Sequence, residues 1–282
     1  KVQTQLTKGS KSIDRARLLR EQLIIERDGE PALRLKLVDQ KNYKNNSFQV
    51  LNQFQKENGT IKNRYDVTIL MNGLPIVQIE LKRRGVEIKE AFQQVQRYQR
   101  DTYHAGEGYF QFVQMFVISN GVNTEYFANN STLNKLFSFS WTDESNNAVN
   151  QLTDFTNTFL NREHLHKMVF RYTVLTTENV AMILRPYQCY AVEGIIKTVE
   201  EGSGNGYIWH TTGSGKTLTS FKASQVLTQR SDIKKVVFVV DRKDLDTQTV
   251  QEFANFSDDS FEDTSNTATL VKQLKNDAVP LI

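Results

Sequence analysis

Cysteine is almost missing from this 282-residue chain: Cys189 stands alone. No intrachain disulfide can therefore form, and the composition fits a reducing compartment. No apolar run approaches the roughly 18–20 residues that a membrane-spanning helix needs. No secretory leader opens the sequence, so a cytoplasmic protein away from membranes is expected. A large charge imbalance is absent too. The net charge of +3 permits a nucleic-acid partner without arguing for one. The local basic run Lys82, Arg83, Arg84, followed by Arg97 and Arg100, reads equally well as a solvated face. The histidines are scattered. His164 and His166, spaced i,i+2 with no cysteine nearby, read as surface residues, and no zinc site is expected. Repeats and long low-complexity tracts are also lacking. The first residue is Lys1 rather than Met, so the start of the intact protein is expected upstream.

What is present divides into two parts. Residues 12–27 (SIDRARLLREQLIIER) carry Ile13, Leu18, Leu19, Leu23 and Ile24 at helical spacing, which predicts one helix ended by "DGEP". Residues 48–54 and 65–82 read as strands, "EIKEAFQQVQRYQRD" as a helix, and "FQFVQMFVISNG" as a buried strand ending in a turn. Residues 129–150 are polar and rich in Ser and Asn, and a helical stretch begins near 151. A domain boundary is expected between about 160 and 178, giving domains 1–165 and 166–282. The second part alternates helix 187–201, strand 207–210, helix 217–229 and strand 235–240. That order predicts a parallel sheet in an α/β fold.

The most specific stretch is "HTTGSGKT", His210 to Thr217. A loop that cradles phosphate needs backbone N–H groups converging on one point, hence glycines. It also needs a lysine for the β and γ phosphates, a hydroxyl for magnesium, and a helix whose N-terminus favours anions. Thr212, Gly213, Ser214 and Gly215 supply the loop, Lys216 the cation, Thr217 the hydroxyl, and "LTSFKASQVL" the helix. ATP and Mg²⁺ are the expected ligands. His210 departs from the general motif, which has glycine there. The form "TGSGKT" resembles motif I of superfamily 2 helicases and translocases, which tolerates that departure. By the same resemblance Gln188 in "LRPYQ" reads adenine, and "VVFVVDRKDLDTQ" is similar to motif Ia, its strand ending at Asp241 and Arg242. No Asp-Glu pair closes an apolar strand after it, so the chain reads as part of a longer motor.

A second constellation lies in "YDVTILMNGLPIVQIELKRRG", residues 65–85. Asn72-Gly73 between two apolar runs signals a hairpin. Folding there brings Asp66 opposite residue 79 or 80, and alternation puts Glu80 and Lys82 on one face. Two carboxylates that hold Mg²⁺ beside a lysine suit metal-assisted phosphodiester hydrolysis. An ordinary surface hairpin with a salt bridge accounts equally well for the spacing alone. "EIK" at 87–89 is a second match to E-x-K, set apart because Glu87 begins a helix whereas Glu80 sits in an apolar strand. Gln94 and Tyr98, four apart on the next helix, share a face.

The order Asp66, Glu80-x-Lys82, then Gln94-x-x-x-Tyr98 resembles the RecB-like branch of PD-(D/E)xK nucleases. A nuclease of that kind followed by a superfamily 2 motor resembles the R subunit of type I restriction–modification enzymes. "VLNQF", "SNGVNTEYFA", "RYTVL" and "LRPYQ" are similar to that family's landmarks and stand in its order. The resemblance implies a PD-(D/E)xK mixed-sheet domain and part of a RecA-like domain. It implies Asp66, Glu80 and Lys82 as catalytic residues, with metal on Asp66, Glu80 and, in the motor, Thr217, and Gln94 and Tyr98 in support. It also implies ATP-driven translocation of double-stranded DNA, and methyltransferase (M) and specificity (S) subunits as partners. Glu21 and Glu26 are fixed by no motif. An ATP-regulated DNA-binding module with an inactive nuclease fold is the alternative, and a nucleotide-binding regulator without DNA is a third reading.

Overall fold

The computed structural model describes residues 11–58, 61–100, 108–202, 204–240, 243–256 and 266–282, together with residues 6 and 264. The chain divides into two compact units, Lys1–Thr173 and Val174–Ile282. The division falls later than residue 165 because helix α4 (Arg162–Phe170) belongs with the first unit. Its Leu165, Met168 and Val169 are buried, and His166 Nε2 hydrogen-bonds the Asp39 carbonyl at 2.7 Å.

The first unit is a mixed α/β structure. It opens with helix α1 (Ser12–Leu18) and an antiparallel hairpin, β1 (Gln22–Arg27) with β2 (Glu30–Lys36). The single helix expected over 12–27 is therefore wrong in its second half. Leu23 and Ile25 are buried while Ile24 is exposed, which is the period of two of a strand. Leu23 faces Leu35 and Ile25 faces Leu33 across the hairpin. Pairing with the following segment overrides the local helical spacing, and Gly29, at φ +76°, makes the turn in "DGEP".

The main sheet runs β3 (Phe48–Asn58), β4 (Ile61–Met71), β5 (Leu74–Leu81), β6 (Met115–Ser119), β7 (Thr124–Ala128) in that spatial order. All neighbours are antiparallel except β5 and β6. Asn72 (φ +52°) and Gly73 (φ +80°) form the β4–β5 turn. Two positive φ values in a two-residue loop match the right-handed twist of the strands. The central strand β5 is buried along nearly its whole length, so its apolar residues run almost continuously and its two polar ones, Gln78 and Glu80, are buried with them. The parallel step from β5 to β6 passes through helix α2 (Ile88–Tyr98). This helix lays Ala91, Phe92, Val95 and Tyr98 against Tyr65, Phe116, Ile118 and Phe127 of the sheet. The strand expected over "FQFVQMFVISNG" is shorter than its apolar run. Tyr109–Phe112 form a 3₁₀ turn, and the ladder begins only at Met115, after Gln114 N–H donates to the Ile76 carbonyl. Helix α3 (Leu152–Thr158) and α4 complete the unit.

From the boundary at Thr173 onward, the short hairpin of β8 (Thr173–Leu175) and β9 (Ala181–Ile183) leads into α5 (Pro186–Glu200), α6 (Lys216–Thr228), α7 (Lys243–Phe256) and α8 (Thr267–Lys275). The expected parallel sheet is reduced among the described residues to one parallel bridge, Val236 with Leu281. Phe238 N–H extends it by donating to the Ile282 carbonyl at 2.8 Å. Residues 207–210 form no ladder, and Trp209 is 89% exposed. A strand exists through its neighbours' hydrogen bonds, and no described segment supplies them there. Asp241 and Arg242 lie outside the described residues. No described helix is long and apolar enough to cross a membrane.

Candidate active site and nucleotide loop

At the open end of the β4–β5 hairpin, Val67 pairs with Ile79, which sets Asp66 across from Glu80. Asp66 Oδ2 accepts the Leu81 N–H at 2.9 Å, and its Oδ1 accepts from Gln53 Nε2 at 3.3 Å. Glu80 is fully buried. Its Oε1 accepts from Lys82 Nζ at 3.2 Å. Lys82 Nζ also donates to Gln94 Oε1, Gln94 Nε2 to Tyr98 Oη at 2.6 Å, and Tyr98 Oη to the Arg64 carbonyl at 2.8 Å. The structure thus brings Asp66, Glu80, Lys82, Gln94 and Tyr98 into one connected group. Helical spacing aligns Gln94 and Tyr98, and strand alternation aligns Glu80 and Lys82. The rival Glu87 and Lys89 are exposed at the start of α2 and take no part. Beside the group an open groove of about 720 Å³ is lined by Lys82, Arg83, Gln94 and Arg97, with Glu90 as its carboxylate.

Burial, then the neighbouring charge of Asp66, pushes the Glu80 carboxyl up to about 8, against the opposing pull of Lys82. With a proton, Glu80 can hydrogen-bond Asp66. Once ionised, its Oε2 is buried and has no hydrogen-bond partner. A buried carboxylate oxygen without a donor is costly unless a cation meets it. Two adjoining carboxylates, one with such an oxygen, fit a hard divalent cation. Among the described residues no three His, Cys, Asp or Glu gather at one point. A cation here would complete its shell with water and substrate oxygens, as Mg²⁺ commonly does.

The raised Glu80 value has a consequence for stability. The folded state keeps a proton that the unfolded chain releases above its ordinary 4.5. Glu80 therefore contributes stability that is fully present below about 4.5 and is lost as pH rises through about 8. Glu80→Gln, neutral and of the same shape, is expected to remove that loss. In chelator, the variant should gain on the order of a few kcal/mol over the parent near pH 8 and little near pH 5. Thermal melting across that range is the measurement; parallel curves for the two proteins would refute the buried-acid assignment.

In the second unit, Gly213 (φ +76°) and Gly215 (φ +77°) shape the loop before α6. A Cβ on Gly215 would also stand 2.7 Å from Gln188 Nε2. Gly215 is the N-cap of α6, so Lys216 and Thr217 begin the helix. Lys216 Nζ donates to the Thr211 carbonyl at 3.0 Å, and Ser214 Oγ to the same carbonyl at 2.7 Å, while Thr212 is exposed. Helix α5 braces the loop. Tyr187 Oη donates to the Ser214 carbonyl at 2.8 Å, and Gln188 Nε2 lies 3.3 Å from both the Ser214 and Gly215 carbonyls. Gln188 Oε1 accepts the Arg185 N–H at 2.9 Å. Both ends of the Gln188 amide are thus engaged by the loop and the helix cap, and reading adenine requires exchanging those bonds. His210 packs edge-on against Tyr187 at 5.2 Å, and burial followed by the Lys216 charge lowers its pKa. His164, by contrast, packs among Trp141 and Phe159 in the first unit.

The sequence reading missed Gln53. It lies inside "VLNQF", but nothing in its spacing links it to Asp66.

Residues 2–135 match the family model described as Type I restriction enzyme R protein N terminus, and residues 187–282 match that of the SWI2/SNF2 ATPase. The chain is 53% identical over 276 residues to the type I restriction enzyme SsaAORF53P endonuclease subunit of Staphylococcus saprophyticus, covering 97% of this chain and 29% of that protein. It is 39% identical over 148 residues to the C-terminal part of the putative type I restriction enzyme MpnIIP endonuclease subunit, from Mycoplasma pneumoniae, covering 49% of this chain and 72% of that protein. It is 27% identical over 267 residues to the HindI endonuclease subunit of Haemophilus influenzae, covering 86% of this chain and 25% of that protein. The chain spans about 29% of the length of its staphylococcal relatives.

Proposed function

Because the chain belongs to the family of type I restriction enzyme endonuclease subunits, we propose that its first unit is a PD-(D/E)xK-type nuclease domain and its second the beginning of a RecA-like ATPase that drives DNA translocation. The observation that carries this reading is the hydrogen-bonded group running from Asp66 and Glu80 through Lys82 to Gln94 and Tyr98, with Glu80 Oε2 unpartnered at its centre. Asp66 and Glu80 would hold Mg²⁺, which would supply charge neutralisation at the scissile phosphate and a more acidic water. Lys82 lies within reach of Glu80 and orients the attacking water or stabilises the charge that develops on phosphate. Gln94, itself fixed by Tyr98, holds the Lys82 ammonium in place. Arg83 and Arg97 give the adjoining groove the cationic character that a phosphate backbone requires.

In the ATPase part, the loop of Thr212, Gly213, Ser214 and Gly215 and the start of α6 receive the phosphates of ATP. Lys216 would exchange the Thr211 carbonyl for the β and γ phosphates, and Thr217 would offer its hydroxyl to Mg²⁺. Gln188 positions the loop and would exchange those bonds to read adenine. The whole protein works on double-stranded DNA in a complex with methyltransferase and specificity subunits. Cleavage follows translocation.

The test is plasmid cleavage by the complete subunit assembled with its partners, wild type against Asp66→Ala. The wild type should linearise plasmid only with Mg²⁺ and ATP, and Asp66→Ala should leave it intact. A wild-type complex that binds DNA and turns over ATP without ever cutting would favour a regulated binding module instead.

A further inference from the structure

Among the described non-glycine residues, Gln53, Asn72, Asn146 and Asn179 have positive φ. The three asparagines belong to turns, and asparagine tolerates the left-handed region because its short amide bonds locally. Gln53 differs in both respects. It lies in the interior of β3 at φ +54°, and its side chain gains nothing local there. Such a conformation costs stability and persists where the surroundings impose it, often at functional sites.

The position of Gln53 gives that strain a purpose. The β3–β4 ladder pairs Asn52 with Val67 and Phe54 with Tyr65, so Gln53 stands across from Asp66. Its Nε2 donates to Asp66 Oδ1 at 3.3 Å, while the Leu81 N–H donates to Oδ2 at 2.9 Å. Each carboxylate oxygen thus meets a donor from a different strand, apart from any bond from protonated Glu80. The short Leu81 bond holds one end of the carboxylate, and the longer contact from the exposed Gln53 amide biases the plane in which its remaining lone pairs lie.

We propose that Gln53 is a positioning residue of the nuclease centre: its left-handed backbone presents the side-chain amide to Asp66 and sets the plane in which that carboxylate meets a divalent cation. The inference rests on the nuclease reading of Asp66 and Glu80. Partners that orient a metal ligand typically account for about 10–100-fold in metal affinity or activity, and Gln53 acts in that range.

The experiment uses the complete subunit with two variants. Gln53→Gly accepts the positive φ without strain but has no amide, whereas Gln53→Asn keeps an amide, shorter by one methylene, at a backbone it tolerates. Calcium alone is titrated by calorimetry, counting only the site that Asp66→Ala removes. The Mg²⁺ requirement for cleavage is then measured in the assembled complex. Gln53→Gly should melt no lower than wild type, bind Ca²⁺ about tenfold or more weakly, and need correspondingly more Mg²⁺ for half-maximal cleavage. Its rate at saturating Mg²⁺ should fall less, and Gln53→Asn should lie between. Wild-type Ca²⁺ affinity and Mg²⁺ requirement in Gln53→Gly would overturn the proposal, and a lowered melting temperature would overturn the strain on which it stands. If Asp66→Ala itself still cuts, the nuclease reading fails instead, so the two failures are told apart.

Discussion

Glu80→Ala in the complete subunit is expected to abolish DNA cleavage while ATP turnover and translocation continue. The removed carboxylate lies in the first compact unit, and the phosphate loop lies in the second. Glu80 Oε2 is a buried carboxylate oxygen with no hydrogen-bond partner, so its loss removes the group best suited to bring a cation against the phosphate. The alanine also frees Lys82, whose Nζ stands 3.2 Å from Glu80 Oε1. Stabilisation of charge at a reacting phosphate by a cation is worth several kcal/mol, and each 1.36 kcal/mol is tenfold in rate. Cleavage should therefore drop by about 10³-fold or more. Plasmid linearisation and a triplex-displacement assay of translocation, run on the same preparation, measure the two activities separately. Cutting at the wild-type rate would remove Glu80 from the centre, and loss of both activities would place it in the fold rather than the chemistry.

Lys216→Ala should instead lose all three activities together: ATP turnover, translocation and, with them, cleavage. Lys216 is the cation of the loop, and its Nζ can exchange the Thr211 carbonyl, 3.0 Å away, for phosphate. No neighbouring lysine of the described loop replaces it: residues 210–215 are His, Thr, Thr, Gly, Ser and Gly. Removing one preorganised group that stabilises transition-state charge typically costs about 10²–10³ in rate. The nuclease residues are untouched, so a fall in cleavage reports coupling between the two activities rather than damage to the cutting site. The measurements are phosphate release in the presence of DNA and plasmid cleavage by the same complex. Persistent ATP-dependent cutting by Lys216→Ala would break the inferred coupling, and wild-type phosphate release would displace Lys216 from the nucleotide site.

By itself the sequence determined the features that are local. Asn72-Gly73 specified the hairpin because a two-residue turn with positive φ leaves few residue choices. The largely apolar strand β5 and the helical stripe of α2 were legible from period and length. The glycine turn leading into α6 was legible because Gly213 and Gly215, both at positive φ, stand directly before the helix they introduce.

The tertiary structure decided whatever depends on distant partners. Residues 22–27 became a strand because β2 pairs with them, although their spacing also suits a helix. Residues 207–210 and 235–240 have the composition of strands, yet among the described residues only Val236 forms a bridge, because strand formation requires a neighbour that composition does not encode. Helix α4 belongs with the first unit through contacts such as His166 to Asp39, which are remote in sequence. Gln188 is engaged by the loop that its helix braces, a bond between segments 26 and 27 residues apart. The charge state of Glu80 was equally invisible in the letters E-x-K. Its rise to about 8 comes from burial within the central strand and from Asp66 on the adjoining one. Residue types name the groups available for chemistry, whereas desolvation and long-range pairing set how those groups behave.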